Sequence, residues 1–318
     1  MLAERRFNSS QACDKVGMMR RLLISVVIAS YEEPEEFLRE CFQSLLAQTF
    51  SDWEGIVVDD ASTRGDVERV VAEMGDSRLR VIKHAHNRGL GGTRNTGISA
   101  AQTPLIALLD ADDRLHPEFL EATFHALRDH PDADWVVVDW EVFGTRNEVW
   151  PIPVDRSVTC PAHSPYVGAG TLMRKSVWER VGGYAEEEAL RGGEDWDFWI
   201  GVAEQSLRPH RISLPLYLYR QHTKAMSVTA KPYNEHIIRR AIYRRHKSAF
   251  ESLGLDCPWC RSPKTRIAAF LAQGFLVSSS ASLNQGERLR AIRMAIHALT
   301  LQPGNPAILR HLARCFRV

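Results

Sequence analysis

Leu22-Leu23-Ile24-Ser25-Val26-Val27-Ile28-Ala29-Ser30 is an apolar, β-branched run that stops abruptly at Tyr31-Glu32-Glu33-Pro34. The run is far shorter than the roughly 20 residues that cross a bilayer, and no small-residue cleavage site follows, so it reads as a buried strand. Past Pro34, the residues Phe37, Leu38, Cys41, Phe42, Leu45 and Leu46 recur at helical spacing, which predicts a helix with one face on a sheet. The alternation then repeats. Strands are expected at Trp53–Val58, Leu79–Lys83, Leu105–Leu109 and Trp135–Val138, with helices near Asp66–Met74, from the Gly89–Gly92 stretch to about Ala101, and over Glu118–Asp129, where Pro117 fits a first turn. Strand and helix in alternation imply an α/β fold with a mostly parallel sheet flanked by helices.

The stretch from Val142 to about Pro165 has little period and reads as an irregular crossing segment. Regularity returns at Thr171–Arg174, a helix over Ser176–Val181, the turn Gly182-Gly183 and a helix beginning near Asp195, and the domain closes around Tyr217–Ser227. From Tyr233 the pattern becomes helical, with segments over Tyr233–Phe250 and near Thr265–Leu283, Glu287–Leu301 and Pro306–Phe316. The expected organisation is a flexible leader over 1–20, an α/β catalytic domain over 21–230 and a helical region over 231–318. The pair of helices around Gly286, with Ala291, Ala295 and Ala298 on one side, resembles a single tetratricopeptide-type hairpin. One such hairpin cannot bury its own apolar face, so it should dock on the catalytic domain or on a second copy of the chain.

Lys and Arg number 40 against 39 Asp and Glu, so the total charge advertises no nucleic-acid partner. Six dispersed cysteines are no dense disulfide framework, which points to a reducing, cytoplasmic setting, the inner face of a membrane included. Cys257 and Cys260 have half a zinc site's spacing with no second pair to complete it, and read as part of an inert loop.

Ligands of an open parallel sheet sit outside the carboxyl ends of its strands. Those ends are acidic here: Asp59-Asp60 closes the second strand and Asp110-Ala111-Asp112-Asp113 closes the fourth. Single aspartates commonly cap helices and start turns, but clustered carboxylates need a cation or donors to offset their repulsion. A hard divalent ion that also meets phosphate oxygens would do so. The glycines at 89, 91 and 92 miss the dinucleotide fingerprint because Arg94 occupies its last glycine position, and they read instead as permitting close backbone passage beneath a nucleotide. Glu194-Asp195, before Trp196, Phe198 and Trp199, should stand at a helix N-terminus, where the dipole favours acids.

The run Val26–Tyr31, the helix end Ser44-Leu45-Leu46-Ala47-Gln48-Thr49-Phe50, Val57–Ser62, Asn87-Arg88-Gly89 with Arg94-Asn95, Asp110–Asp113, Gly193-Glu194-Asp195 and Tyr219-Arg220-Gln221-His222, in that order, resemble family 2 glycosyltransferases of the GT-A fold. The resemblance covers about Leu22 to Ser227. It implies that Ala29 and Tyr31 line a base pocket and that Asp60 binds the uracil or ribose edge. It implies further that Asp112 lies near the ribose and Asp113 on a Mn²⁺ or Mg²⁺ ion, with Asp110 behind and His222 completing the metal shell. Arg94 would be a supporting cation or a contact to the ribose edge of the nucleotide, or would lock its loop by bonding to strand-end carbonyls or to Asp112. Asp195 would be the base that deprotonates an acceptor hydroxyl, giving inversion, while Glu194 orients the acceptor or a neighbouring loop. Lys224 or Arg220 could meet phosphate. The implied reaction moves one sugar from a nucleotide-diphosphate sugar, UDP favoured, to a saccharide or glycoconjugate acceptor, as in polysaccharide synthesis.

The chain lacks a Q-x-x-R-W element and a transmembrane helix after the catalytic domain, which argues against processive extrusion; peripheral membrane contact and a homo-oligomer through the helical region stay compatible. A catalytically inactive nucleotide-sugar-binding scaffold is the rival reading. A nucleotidyltransferase would need a basic loop after the first strand, where Glu32 and Glu33 stand instead.

Overall fold

The structure, a computed structural model, describes residues 23–64, 66–152, 167–223, 231–252 and 263–316. The proposed leader, the segment 153–166, Lys224, Ser227 and the Cys257/Cys260 pair lie outside the described residues.

Strand β1 (Ile24–Ser30) is buried along all seven residues, which explains why its sequence is a continuous apolar run rather than an alternation: helices cover both faces. Helix α1 (Glu35–Leu46) turns Leu38, Cys41, Phe42 and Leu45 inward, as its spacing predicts. Strand β2 (Trp53–Asp59), α2 (Val67–Met74), β3 (Leu79–Lys83), α3 (Gly89–Ala100) and β4 (Leu105–Asp110) follow. β1 pairs in parallel with both β2 and β4, in a register that sets Ser30 beside Asp59 and Ala29 beside Asp110. The acidic tips are therefore neighbours because the strand bodies are aligned. Since β1 is central and its neighbours leave in opposite directions, a crevice opens at these tips.

The second half differs from the expected mostly parallel sheet. After β5 (Arg114–Leu115) and α4 (Phe119–Asp129) come β6 (Trp135–Gly144), β7 (Glu148–Trp150) and β8 (Thr171–Arg174). Helix α5 (Lys175–Val181), a 3₁₀ turn at Glu188–Leu190, α6 (Glu194–Glu204) and β9 (Pro209–Gln221) complete it. The strand order is β3-β2-β1-β4-β8-β6-β9-β5 with β7 beside β6, and β8 runs antiparallel to both β4 and β6, so the sheet is mixed. The segment read as irregular from Val142 begins as the end of β6, paired with β7. β9 is longer than expected: it runs parallel to β6 as far as Gln221 and, on its other side at Tyr217 and Leu218, antiparallel to the two residues of β5, which carries Tyr217 to Gln221 up to the acidic tip of β4.

The helical region comprises α7 (Lys231–Arg245), α8 (Lys247–Ser252), α9 (Pro263–Asn284), α10 (Arg288–Leu301) and α11 (Pro306–Phe316). Ala291, Ala295 and Ala298 are fully buried, as the small-residue face required, and Gly286 at φ 80° ends α9 in a conformation that favours glycine. An 18-residue stretch of α9, Ile267–Asn284, has a mean hydropathy of 1.2, long and apolar enough by those measures to span a bilayer, in contrast to the expectation of no such helix. Here it is packed between helices, with Ser278, Ser279 and Ser282 buried. The region docks on the α/β half: Ile238, Ile242, Phe250 and Phe270 share a core with Leu190, Trp196 and Ile200. Arg239 stacks over Trp196 and Phe270 at 4.6 and 4.9 Å, and Arg245 and His246 both bond to Asp197 of α6.

Gly91 has a packing role in this arrangement. A Cβ built there would lie 2.3 Å from the carbonyl oxygen of Ala185, so the glycine lets α3 meet the chain after α5. Gly91→Ala should lower the unfolding free energy by about 1–3 kcal/mol, seen as an earlier urea midpoint. An unchanged midpoint would show that the Ala185 backbone yields freely.

Candidate active site

The guanidinium of Arg94, only 1% exposed, lies between two carboxylates. Its Nη2 donates to both oxygens of Asp110, at 3.0 and 3.3 Å, and its Nη1 donates to Oδ1 of Asp195. Burial works against the charge, but Asp195 and Asp110 more than offset it and hold Arg94 above its ordinary range. Arg94 thus bonds to carboxylates, though to Asp110 and Asp195 rather than to Asp112. Next to it, Asn95 takes hydrogen bonds from the Tyr184 backbone and the Trp178 indole, which fixes the chain leading to α6.

Asp195 begins α6 at the cleft. A Cβ placed on Gly168 would lie 3.7 Å from its Oδ2 and 3.4 Å from the Trp140 ring, so that oxygen and an indole face the same small space. Trp140 belongs to a cluster with Trp150, Tyr217 and Tyr219, ring centroids 5.2 to 6.5 Å from Trp140. Glu194 behaves differently: it is buried, its Oε2 accepts from the Gly192 N–H at 2.6 Å, and it holds the loop rather than facing the cleft. Desolvation, then the nearby Asp195 charge, lifts its carboxyl to about 7.

The acidic stretch after β4 divides its tasks in a way its sequence does not disclose. Asp113, expected on the metal, is buried; its Oδ2 accepts from Tyr217 Oη and its Oδ1 from the Arg220 N–H, both at 2.6 Å. It fastens β9 to the strand tip, and burial together with Asp112 and Asp110 pushes its carboxyl upward. Asp112 is the partly exposed neighbour, with Oδ2 3.2 Å from Nε2 of His222. That contact raises the histidine above its ordinary value despite some desolvation. Arg220 is a strut and does not reach outward: it donates to the Asp112 carbonyl at 2.6 Å and to Glu40, and stacks over Phe37.

Asp60, expected on the uracil or ribose edge, anchors a loop. Its Oδ1 meets the Arg88 N–H and His84 Nδ1 at 2.8 and 2.7 Å, and its Oδ2 accepts from the Gly89 N–H at 2.8 Å. Ala29 is nearly buried and Tyr31 is 49% exposed at the end of β1, beside the buried Ser30 hydroxyl, which has no hydrogen-bond partner among the described residues. Sequence reasoning missed Ser30, Tyr217 and Glu33. Burial, then Asp112, lifts the Glu33 carboxyl to about 7, and burial, offset in part by Arg94, lifts that of Asp110 to about 6. The signal for Glu33 was its position in the turn directly after β1.

The family model described as Glycosyl transferase family 2 matches residues 25–182. The chain belongs to that family. An uncharacterized glycosyltransferase of Methanocaldococcus jannaschii is 30% identical over 58% of this chain and 66% of its own. The match spans just under two thirds of that relative, and 26% and 16% of two longer ones. Among solved structures, TarS 1–349 of S. aureus in complex with UDP-GlcNAc has a TM-score of 0.66 at 18% identity, covering 92% of this chain and 88% of that one. The mannosyltransferase PcManGT of Pyrobaculum calidifontis, in complex with GDP-Man and Mn²⁺, has a TM-score of 0.58 at 17% identity, covering 93% and 86%. The family 2 chain accordingly has the GT-A fold with a helical extension.

The raised carboxyls make a stability prediction for the family 2 chain without ligand. A carboxyl whose folded value lies above its unfolded value binds more protons when folded, so its contribution is full below about 4.5 and is lost as pH rises through about 7. Glu194→Gln should flatten this decline between pH 5 and 8 by up to about 1.4 kcal/mol per pH unit. Urea melts across that range check it; a slope identical to that of the parent would place the proton elsewhere.

Proposed function

We propose that this chain transfers a single sugar, with inversion, from a nucleotide-diphosphate sugar to the hydroxyl of a saccharide or glycoconjugate acceptor. The observation that carries the reading is the Asp195–Arg94–Asp110 bridge, which holds a partly exposed carboxylate across the cleft from the Asp112–His222 pair. Chemistry with one carboxylate opposite a leaving group is direct displacement. The acceptor hydroxyl gives its proton to Oδ2 of Asp195, its oxygen bonds to the anomeric carbon, and the bond from that carbon to the diphosphate oxygen breaks, the electron pair leaving with the nucleotide. Arg94, bound to Oδ1, holds Asp195 in orientation. Trp140, sharing the space at Gly168, offers a ring face for an acceptor sugar.

The donor set suits a divalent ion. No three His, Cys, Asp or Glu side chains gather into a cage among the described residues, but Mn²⁺ and Mg²⁺ are commonly held by one or two protein groups with phosphates completing the shell. Asp112 and His222 are those groups, with Glu33 close behind, and the ion would neutralise the charge developing on the diphosphate. The metal role expected of Asp113 passes to Asp112. Ala29, Tyr31 and the unpartnered Ser30 hydroxyl form the base and ribose side, with Asp60 acting through the loop it anchors. A UDP donor is favoured, in keeping with the UDP-GlcNAc bound by TarS.

Asp112→Asn and His222→Ala should each remove the Mn²⁺-stimulated part of UDP binding in calorimetry, whereas Asp113→Asn should lower the melting temperature by freeing β9. Loss of the metal effect in Asp113→Asn at an unchanged melting temperature would return the ion to that residue. Asp195→Asn should slow transfer by roughly a hundredfold to ten-thousandfold with UDP affinity kept. Its melting temperature falls under either a catalytic or a structural role, because buried Arg94 loses a charged partner. The rate at saturating donor therefore decides: near-normal turnover would sink the base assignment.

A further inference from the structure

The total charge of +1 conceals two opposite fields. Residues 231–318 carry 15 Lys and Arg against 4 Asp and Glu, a formal +11, which leaves residues 1–230 at −10. The near-cancellation in the whole composition hid this split. Some of the basic groups are spent internally: Arg239 pairs with Glu235, and Arg245 with Asp197 and Glu187. Among the described residues no ion pair engages Arg240, Arg244 or Arg293, and all three are exposed.

Two of them border one groove. α7, α9 and α10 enclose about 490 Å³ lined by His236, Arg240, Arg293 and His297 over an apolar floor that includes Leu271 and Phe275, with no carboxylate in the lining. Large apolar side chains stand outward beside these arginines. Ile237, 42% exposed, precedes Arg240 by three residues on α7, and Leu289 and Ile296, 84% and 46% exposed, flank Arg293 at spacings of four and three on α10. Such spacings put each set on one helix face.

The occupant has to account for both features. A soluble polyanion would use the arginines and leave Ile237, Leu289 and Ile296 in water. A second copy presenting the same patch would bring the same positive field against itself. An anionic phospholipid surface meets both: its phosphates pair with the arginines and its headgroup boundary takes the apolar side chains. We infer that the helical region docks on an anionic phospholipid membrane through the Arg240–Arg293 groove and its apolar rim. The acidic catalytic half is then repelled from the surface and stands off it.

The test is sedimentation of the full chain with vesicles of phosphatidylglycerol and phosphatidylcholine, against vesicles of phosphatidylcholine alone, at low and high salt. The chain binds the anionic vesicles and releases them as salt rises. At about fivefold per arginine, Arg240→Gln with Arg293→Gln weakens the partition roughly 25-fold. Ile237→Ser with Ile296→Ser weakens it further, while UDP affinity and melting temperature stay at the parent's values in both double variants. Equal sedimentation with neutral vesicles, or undiminished binding by the arginine variant, overturns the assignment. So does binding of inorganic polyphosphate, or a dimer by light scattering, in a chain that does not sediment with anionic vesicles.

Discussion

The buried guanidinium of Arg94 is the constraint on which the rest of the site depends. A charge taken out of water is expensive unless it is paired and hydrogen-bonded, and the two groups that pair with it come from distant parts of the chain: Asp110 from the tip of β4 and Asp195 from the start of α6. Satisfying one cation therefore fixes the distance between the end of the sheet and the helix that carries the proposed base. Asn95, one residue on, locks the intervening chain at Tyr184, and Gly91 lets that chain approach α3 closely. The position of Asp195 is an outcome of packing around α3 as much as of α6 itself.

A second long-range connection governs the other wall. β5 has only two residues, and its pairing with β9 delivers Tyr217 and Arg220 to Asp113 and leaves His222 beside Asp112. Adjacent carboxylates acquire opposite fates. The one facing β9 is consumed as a structural acceptor, and the one before it retains the oxygen that meets the cleft.

This division marks the limit of what local sequence could disclose. The first strands, α1 and the acidic strand tips were legible because each depends on periodicity or on the last residue of an apolar run, as in Ile24–Ser30 and Trp53–Asp59. Which of Asp112 and Asp113 faces outward depends on a strand a hundred residues away, and no spacing in Asp110–Asp113 encodes that. The loop contacts of Asp60 were hidden for a related reason: besides His84, its partners are the backbone N–H groups of Arg88 and Gly89, which any residues could have supplied. β9 escaped notice over its first half because Pro209–Pro215 mixes polar and exposed positions on an irregular strand with a register shift against β6. Burying all of β1 on both faces gave a clear signal; pairing a half-exposed strand did not.

The full burial of β1 also separates two kinds of inheritance in this molecule. Its interior residues touch helices on both sides, so a change in Val26 or Ile28 is felt throughout the sheet, and variation there must be answered by neighbours. Tyr31, the residue that follows the strand, is 49% exposed and can be exchanged with few neighbours to answer. A contact made at such a position can drift, or be engineered, one residue at a time while the framework beneath it stays unchanged.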